Sequence, residues 1–385
     1  MDTSRMFDRS QYDGVFKPVE QAQSLPPWCY TSEEFYQAEI KNIFMKTWNF
    51  FGHVDQVKEP GDYIAVEYVG AQVLIVRGRD GVIRAFANSC RHRAAPVAEG
   101  EGNAALFTCP YHSWTYELDG SLRGCPGMEK TENFDRAGNG LIELRLEIHG
   151  CFIFINFDNE AESLESYLGD FPELMGSYKL SNLRLVRKTV DVVACNWKAH
   201  FENAMEEYHL ATVHKKTLNP KEMEHSAAPT VGNWFDIREH HDQNTRALLA
   251  EDIEHAFPHI PDLEGRAAGG TNYVALNPST MLGMTLDCVW YLQLMPQGPH
   301  QTTVIAGACF PAETVARPDF DDKVKYYYKR WDKTLAEDNE IAAVQHRGLR
   351  SPLAQPGRLS HLEPIVALLG QWWIDRVIPK NGSGA

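Results

Sequence analysis

The chain has 385 residues, 43% of them hydrophobic, which is enough apolar material for two domains with cores of their own. A net charge of −15 argues against a nucleic-acid partner and against adsorption to an anionic membrane surface. The eight cysteines (29, 90, 109, 125, 151, 195, 288 and 309) are scattered rather than set in a disulfide framework, which favours a reducing compartment. Met1 to Arg9 is polar and lacks the pattern of a secretory leader, and the apolar stretch Pro364 to Leu369 is far short of the ~20 residues a bilayer requires. The expectation is a cytoplasmic protein with no membrane partner.

In chain order, residues 1–45 read as an arm with one helix, Ser32 to Phe44, capped by Ser32 and carrying apolar residues at helical spacing. Residues 46–160 read as an all-β domain. Gly61 to Tyr68 alternates, Ala71 to Val76 is a continuous apolar run, and Asp80-Gly81 turns the chain into Val82 to Phe86. Asp119-Gly120 closes a further hairpin, Gly150 to Phe157 is the last strand, and the polar run Asp158 to Ser163 is a linker. Residues 161–385 mix the two kinds of element, so the fold class is α+β, with an antiparallel sheet flanked by helices. Leu185 to Val193, Cys288 to Met295 and Thr302 to Gly307 are strands, and Trp197 to about Leu210 is a helix. Met223 to Gly270 reads as loop with short helices, and a long charged helix starts near Pro318 and runs past Asp338.

Chemistry concentrates in two mixed pairs of ligand residues. Cys90-Arg91-His92 is followed, after sixteen residues (93 to 108), by Cys109-Pro110-Tyr111-His112. A zinc site would pair Cys with Cys and His with His. One Cys and one His in each pair is the ligand order of a Rieske [2Fe-2S] centre, where two thiolates hold one iron and two imidazoles the other. Replacing two anionic ligands with neutral ones raises the reduction potential. Gly100 to Ala105 has a faint Gly-x-Gly-x-x-Ala look, but it lies between the ligand pairs in a β context and reads as a hairpin tip rather than a dinucleotide site. With no flavin or nicotinamide module, electrons must come from elsewhere.

The segments Asn88 to Pro96 and Cys109 to Gly120 resemble the cluster loops of Rieske-type ring-hydroxylating oxygenases. Ala95 and Tyr111 stand where respiratory Rieske proteins carry an extra disulfide, so the cluster is expected toward the lower-potential end of its class. A Rieske centre moves one electron at a time, and O2 activation needs a second metal with open positions, as in a 2-His-1-carboxylate triad. His209 and His214, five apart, would be rotated by about 140° on an ideal helix and can share a metal only if the helix loosens or ends near His209. Glu206, three residues before His209, falls on the same helix face, with Glu207 about 100° away.

Alone, those histidines read as an ordinary core or surface pair. The stretch Asn196 to His214 resembles the iron-binding helix of the same oxygenases, which implies iron ligands at His209 and His214. The helix around Glu337-Asp338 looks like the one bearing the third ligand, which implies Asp338, with Glu337 one residue away as its competitor. His255 and His259 form a competing pair, spaced i, i+4, but Pro258 breaks the helix between them. His240-His241 lacks a matched carboxylate. The resemblance further implies a homotrimer, O2 as co-substrate, and a separate flavin- and NAD(P)H-dependent reductase acting directly or through a ferredoxin. It also implies that Glu206 bridges a cluster histidine of one subunit to an iron histidine of its neighbour. Glu rather than Asp there is similar to the subgroup acting on carnitine and betaine-type compounds. Trp234, Phe235, Tyr273, Trp290 and Tyr291 are candidates for caging a cation. Mono- and dioxygenation of a small aromatic or quaternary ammonium substrate both stay open, and an electron-transfer protein without oxygenase activity is the rival reading.

Overall fold

The computed structural model describes residues 3–218, 225–241 and 244–379. Contacts divide the chain into Phe50–Ala161 and a unit formed by Met1–Asn49 with Glu162–Ala385.

The smaller unit contains ten strands: β1 (Asn49–His53), β2 (Asp62–Tyr68), β3 (Ala71–Arg77), β4 (Ile83–Ala87), β5 (Gly100–Asn103), β6 (Phe107–Thr108), β7 (Thr115–Tyr116), β8 (Leu122–Gly124), β9 (Glu143–His149) and β10 (Phe152–Asn156). Seven form one sheet in the order β1-β10-β9-β4-β3-β2-β5, and β6-β7-β8 form a second. Val73 to Val76 in β3 are fully buried, as a continuous apolar run in a central strand requires. Gly100 to Asn103 is an exposed edge strand pairing with Asp62 to Ala65, not a hairpin tip. Its two glycines and lack of apolar residues hide its strand character.

In the larger unit, Ser32 caps helix Glu33–Glu39 by accepting a hydrogen bond from the Phe35 N–H. A seven-stranded sheet runs β11-β17-β16-β15-β14-β13-β12. Its strands are β11 (Leu183–Val193), β12 (His225–Ala228), β13 (Trp234–His240), β14 (Gly270–Leu276), β15 (Thr280–Met284), β16 (Val289–Pro296) and β17 (Thr302–Pro311), each neighbouring pair antiparallel. Strands β12 and β13 correct the reading of 223–270 as loop with short helices. Asp236 and Glu239 are buried in β13 and break the apolar alternation that marks a strand. Helix Phe320–Leu349 packs Phe320, Val324, Tyr327 and Trp331 into a cluster with Phe257, Cys288 and Phe310. Tyr327 donates a hydrogen bond to Asp287 in the β15–β16 turn, and Asp287 also accepts from Thr245 and Thr285. Those donors satisfy a carboxylate that burial alone would make very unfavourable. Among the described residues, no helix is long and apolar enough to cross a membrane.

Candidate active site

In the smaller unit, the two ligand loops have the same backbone wiring. The Cys90 N–H donates to the Ala95 carbonyl and the Cys90 carbonyl accepts from Ala94; Cys109 makes the same bonds with Trp114 and Ser113. Ala94 and Ser113, each four residues past its cysteine, sit at φ +64° and +60°. Non-glycine residues rarely adopt this conformation, and here it curls each loop back on its own cysteine. Both cysteines are buried in the core with Trp114 and Tyr116. His92 Nδ1 and His112 Nδ1 lie 3.2 Å apart, and the His92 ring stacks on Trp114 at 5.1 Å. The Tyr116 hydroxyl sits 3.2 Å from Cys90 Sγ and accepts from the Arg91 N–H at 2.9 Å. Thiolates inside and imidazoles at the rim are the donor arrangement a two-iron Rieske cluster needs.

The second group is built on an interrupted helix. Asn196 caps helix Trp197–Ala204, which stops well short of Leu210. From Met205 the chain runs through turns, among them Thr212 N–H and Val213 N–H to the His209 carbonyl. This corrects the longer helix read from sequence and removes the 140° separation between the two histidines. The Glu206 carboxylate accepts from the His209 N–H at 3.1 Å and from the His209 ring Nδ1 at 2.6 Å, so it holds a turn rather than sharing a helix face.

Ligand atoms of His209, His214 and Asp338 all lie within 4.8 Å of one another. Asp338 Oδ1 is 3.1 Å from His214 Nε2 and 3.6 Å from His209 Nε2. Adjacent ligands on an octahedral ion with bonds of about 2.1 Å stand about 3 Å apart, so these spacings suit one ion. Glu337 turns elsewhere. Its Oε2 accepts from His214 Nδ1 at 2.7 Å, and its Oε1 accepts from the Thr217 hydroxyl. Each imidazole thus offers Nε2 to the centre while a separate carboxylate holds its Nδ1–H, which is how metal-binding histidines are usually fixed in tautomer and orientation. Burial would push the Asp338 carboxyl up, but hydrogen bonding and charge from His214, with His209 and Asn203, bring it below its ordinary value. Asn203 donates to Asp338 Oδ1 at 2.8 Å.

His209, His214 and Asp338, with Glu206 and Asn203, share the wall of one cavity of about 110 Å³. Its apolar lining comes from Ile237, Met281, Leu292, Ala306 and Ala308 on the sheet and Leu335 on the long helix. The Trp290 indole forms part of the wall because its cross-strand partner is Gly283, where a Cβ would stand 2.1 Å from the ring. Of the five aromatic residues proposed as a cage, only Tyr273 and Trp290 line the cavity. Trp234 is buried against Phe171 and donates to Asp170, and Tyr291 packs over Gly307. Trp331, Arg187 and Arg330, which the sequence reading missed, also line the wall. Arg330, Thr334 and Asp338 at i, i+4 and i+8 on the long helix are a signal that could have found Arg330. Elsewhere, His240 and His241 are bonded to Ser226 and Thr271, and His255 stacks on Tyr326.

Two family models match the chain: a Rieske [2Fe-2S] domain over residues 47–135 and a ring-hydroxylating alpha subunit catalytic domain over residues 180–378. The second match takes in more than half of the chain. The chain belongs to the ring-hydroxylating alpha-subunit family. This ring-hydroxylating alpha subunit is 34% identical over 216 residues to the carnitine monooxygenase oxygenase subunit of Acinetobacter baumannii, which covers 55% of this chain and 58% of that one. It is 26% identical over 388 residues to the glycine betaine monooxygenase oxygenase subunit of Chromohalobacter salexigens, covering 93% and 86% of the two. The apo structure of the quaternary ammonium Rieske monooxygenase CntA superposes with a TM-score of 0.77 at 26% identity, over 95% of this alpha subunit and 98% of that chain. The chain spans 58% of the length of the carnitine monooxygenase subunit it matches. The cofactors of a ring-hydroxylating alpha subunit are a Rieske cluster and a mononuclear iron, and the two donor sets fit both.

Proposed function

We propose that this alpha subunit is the terminal oxygenase component of a multicomponent system. It takes electrons from a separate flavin- and NAD(P)H-dependent reductase, directly or through a ferredoxin. With O2 it hydroxylates, dihydroxylates or oxidatively demethylates a small aromatic or quaternary ammonium compound. The observation that carries this reading is the convergence of two Nε2 atoms and one carboxylate on the wall of an apolar cavity, with each Nδ1 held by its own acid. An electron carrier would have no use for either the cavity or the second donor set.

Cys90, His92, Cys109 and His112 hold the cluster in this reading, and His209, His214 and Asp338 hold the iron. When bound, the cluster supplies single electrons and the iron, with open positions, supplies O2 activation. The chain does the rest. Glu206 and Glu337 accept at Nδ1 and so turn Nε2 of each imidazole toward the centre, Asn203 orients Asp338, and the apolar wall excludes water and aligns the C–H bond. Glu206 has a further role, bridging to a cluster histidine of a neighbouring subunit in a homotrimer. A carboxylate has about four acceptor sites, and His209 uses two of them. Residues 46–160 then form the electron-entry domain and 161–385 the catalytic domain, with 1–45 as an arm.

Purified protein should contain about three irons and two acid-labile sulfides per chain. His209→Ala should lose one iron and all O2-dependent product formation while keeping the cluster absorption. Two irons per chain in the native protein, unchanged in the variant, would overturn the assignment.

A further inference from the structure

Arg330 is 5% exposed and lines the cavity that holds the iron ligands. It also borders an adjoining hollow with Glu239, Arg246 and Tyr273. A guanidinium stays charged in any protein setting, and a buried cation needs an anion beside it. The other two arginines around these hollows have one: Arg187 pairs with Asp332 at 2.8 Å and Arg246 with Glu239 at 2.6 Å. Among the described residues, no carboxylate lies within ion-pair distance of Arg330, and its Nε is buried without an acceptor. Its polar neighbour is the Tyr273 hydroxyl, and a neutral phenol cannot balance the charge.

The surroundings decide which ligand would supply that balance. The Arg330 guanidinium carbon stands 6.0 Å over the Trp290 ring. That indole face therefore already carries a cation, and a quaternary ammonium placed there would meet a like charge. Arg330 and Asp338 lie two helical turns apart on the long helix, with Cα atoms about 12 Å apart along its axis. Thr334 and Leu335 line the wall between them.

We propose that the substrate carries a carboxylate that pairs with Arg330, so that its oxidisable carbon is held toward His209, His214 and Asp338. This rests on the oxygenase reading above and narrows it to small organic acids. Both an aromatic acid and a betaine carry that group, with any ammonium of the latter lying away from Trp290.

The test is equilibrium binding to the iron-loaded protein, followed by quenching of tryptophan fluorescence. Two matched pairs are titrated: benzoate against benzyl alcohol, and glycine betaine against choline. The expected result is at least a tenfold preference for the carboxylate in one pair, and the pair that shows it distinguishes an aromatic acid from a betaine. Arg330→Met should abolish the preference while changing affinity for the alcohol less than about twofold, and Arg330→Lys should restore part of it. Absence of a carboxylate preference in both pairs overturns the proposal with the native protein alone, whether or not the Met variant folds. An undiminished preference in a folded Met variant also overturns it. Iron content, measured on the same samples, separates this failure from failure of the oxygenase reading.

Discussion

His214 Nδ1 lies 2.7 Å from Oε2 of Glu337, while its Nε2 lies 3.1 Å from Oδ1 of Asp338. Two consecutive acids on one helix therefore serve opposite edges of one imidazole, one orienting the ring and the other completing the proposed metal site. Asp338→Ala should lose the mononuclear iron and all turnover, with the cluster spectrum intact. Glu337→Gln should keep the iron site but weaken it about 10- to 100-fold, as loss of an orienting partner does. Iron titration of the two variants checks this, and the reverse ranking would make Glu337 the ligand.

Glu206→Gln should leave both metals bound and cut turnover severely. The amide can present its NH2 toward a ring N–H only head-on, leaving that donor unpaired at a cost of about 1–3 kcal/mol. Glu206→Asp should be milder, and Glu207→Gln should do little. Single-turnover kinetics with a pre-reduced cluster read this out. Native rates of cluster oxidation in Glu206→Gln would mean that electrons pass by another contact.

Tyr116 offers a test inside the cluster loops. Its hydroxyl contacts Cys90 Sγ and accepts the Arg91 N–H. Hydrogen bonds to the sulfur ligands of an iron–sulfur centre raise its potential. Tyr116→Phe should therefore lower the midpoint potential with the cluster retained, measured by redox titration. An unchanged potential would show that the contact is packing alone.

Stability should depend on pH through two buried groups. Burial raises the Glu202 carboxyl to about 8, against hydrogen bonding from Tyr30 and the charge of Lys198. A raised carboxyl binds its proton more tightly in the folded state, so its contribution is full below about 4.5 and is lost as pH rises toward 8. Burial, with the charge of His300, lowers His346 to about 4. Its contribution is full above 6.5 and is lost as pH falls toward 4. Chemical denaturation across this range should show Glu202→Gln flattening the alkaline side and His346→Phe the acidic side.

The cluster loops could be read in the sequence because ligand identity and spacing are local: four donors within 23 positions, from Cys90 to His112. The group of His209, His214 and Asp338 proposed to hold the iron was signalled in the sequence by its histidines but not by its geometry. Apolar and helix-forming residues continue past Ala204, and nothing local announces that Glu206 will bond back to the His209 N–H and end the helix there. The cavity wall was least legible. Ile237, Tyr273, Trp290 and Ala306 lie on four different strands and become neighbours only when those strands pair. The buried acids of β13 hid that strand entirely.

His214 and Asp338 are 124 positions apart in sequence, yet their donor atoms meet at 3.1 Å. An ion held by both acts as a cross-link closing a long loop, and such closures restrain the unfolded chain more the longer the loop they tie. Because ligand binding to the native state alone raises apparent stability by mass action, the melting temperature of the catalytic unit becomes a measure of iron affinity. Chelation should lower it, and the size of the fall would rank variants of this site without any knowledge of the substrate.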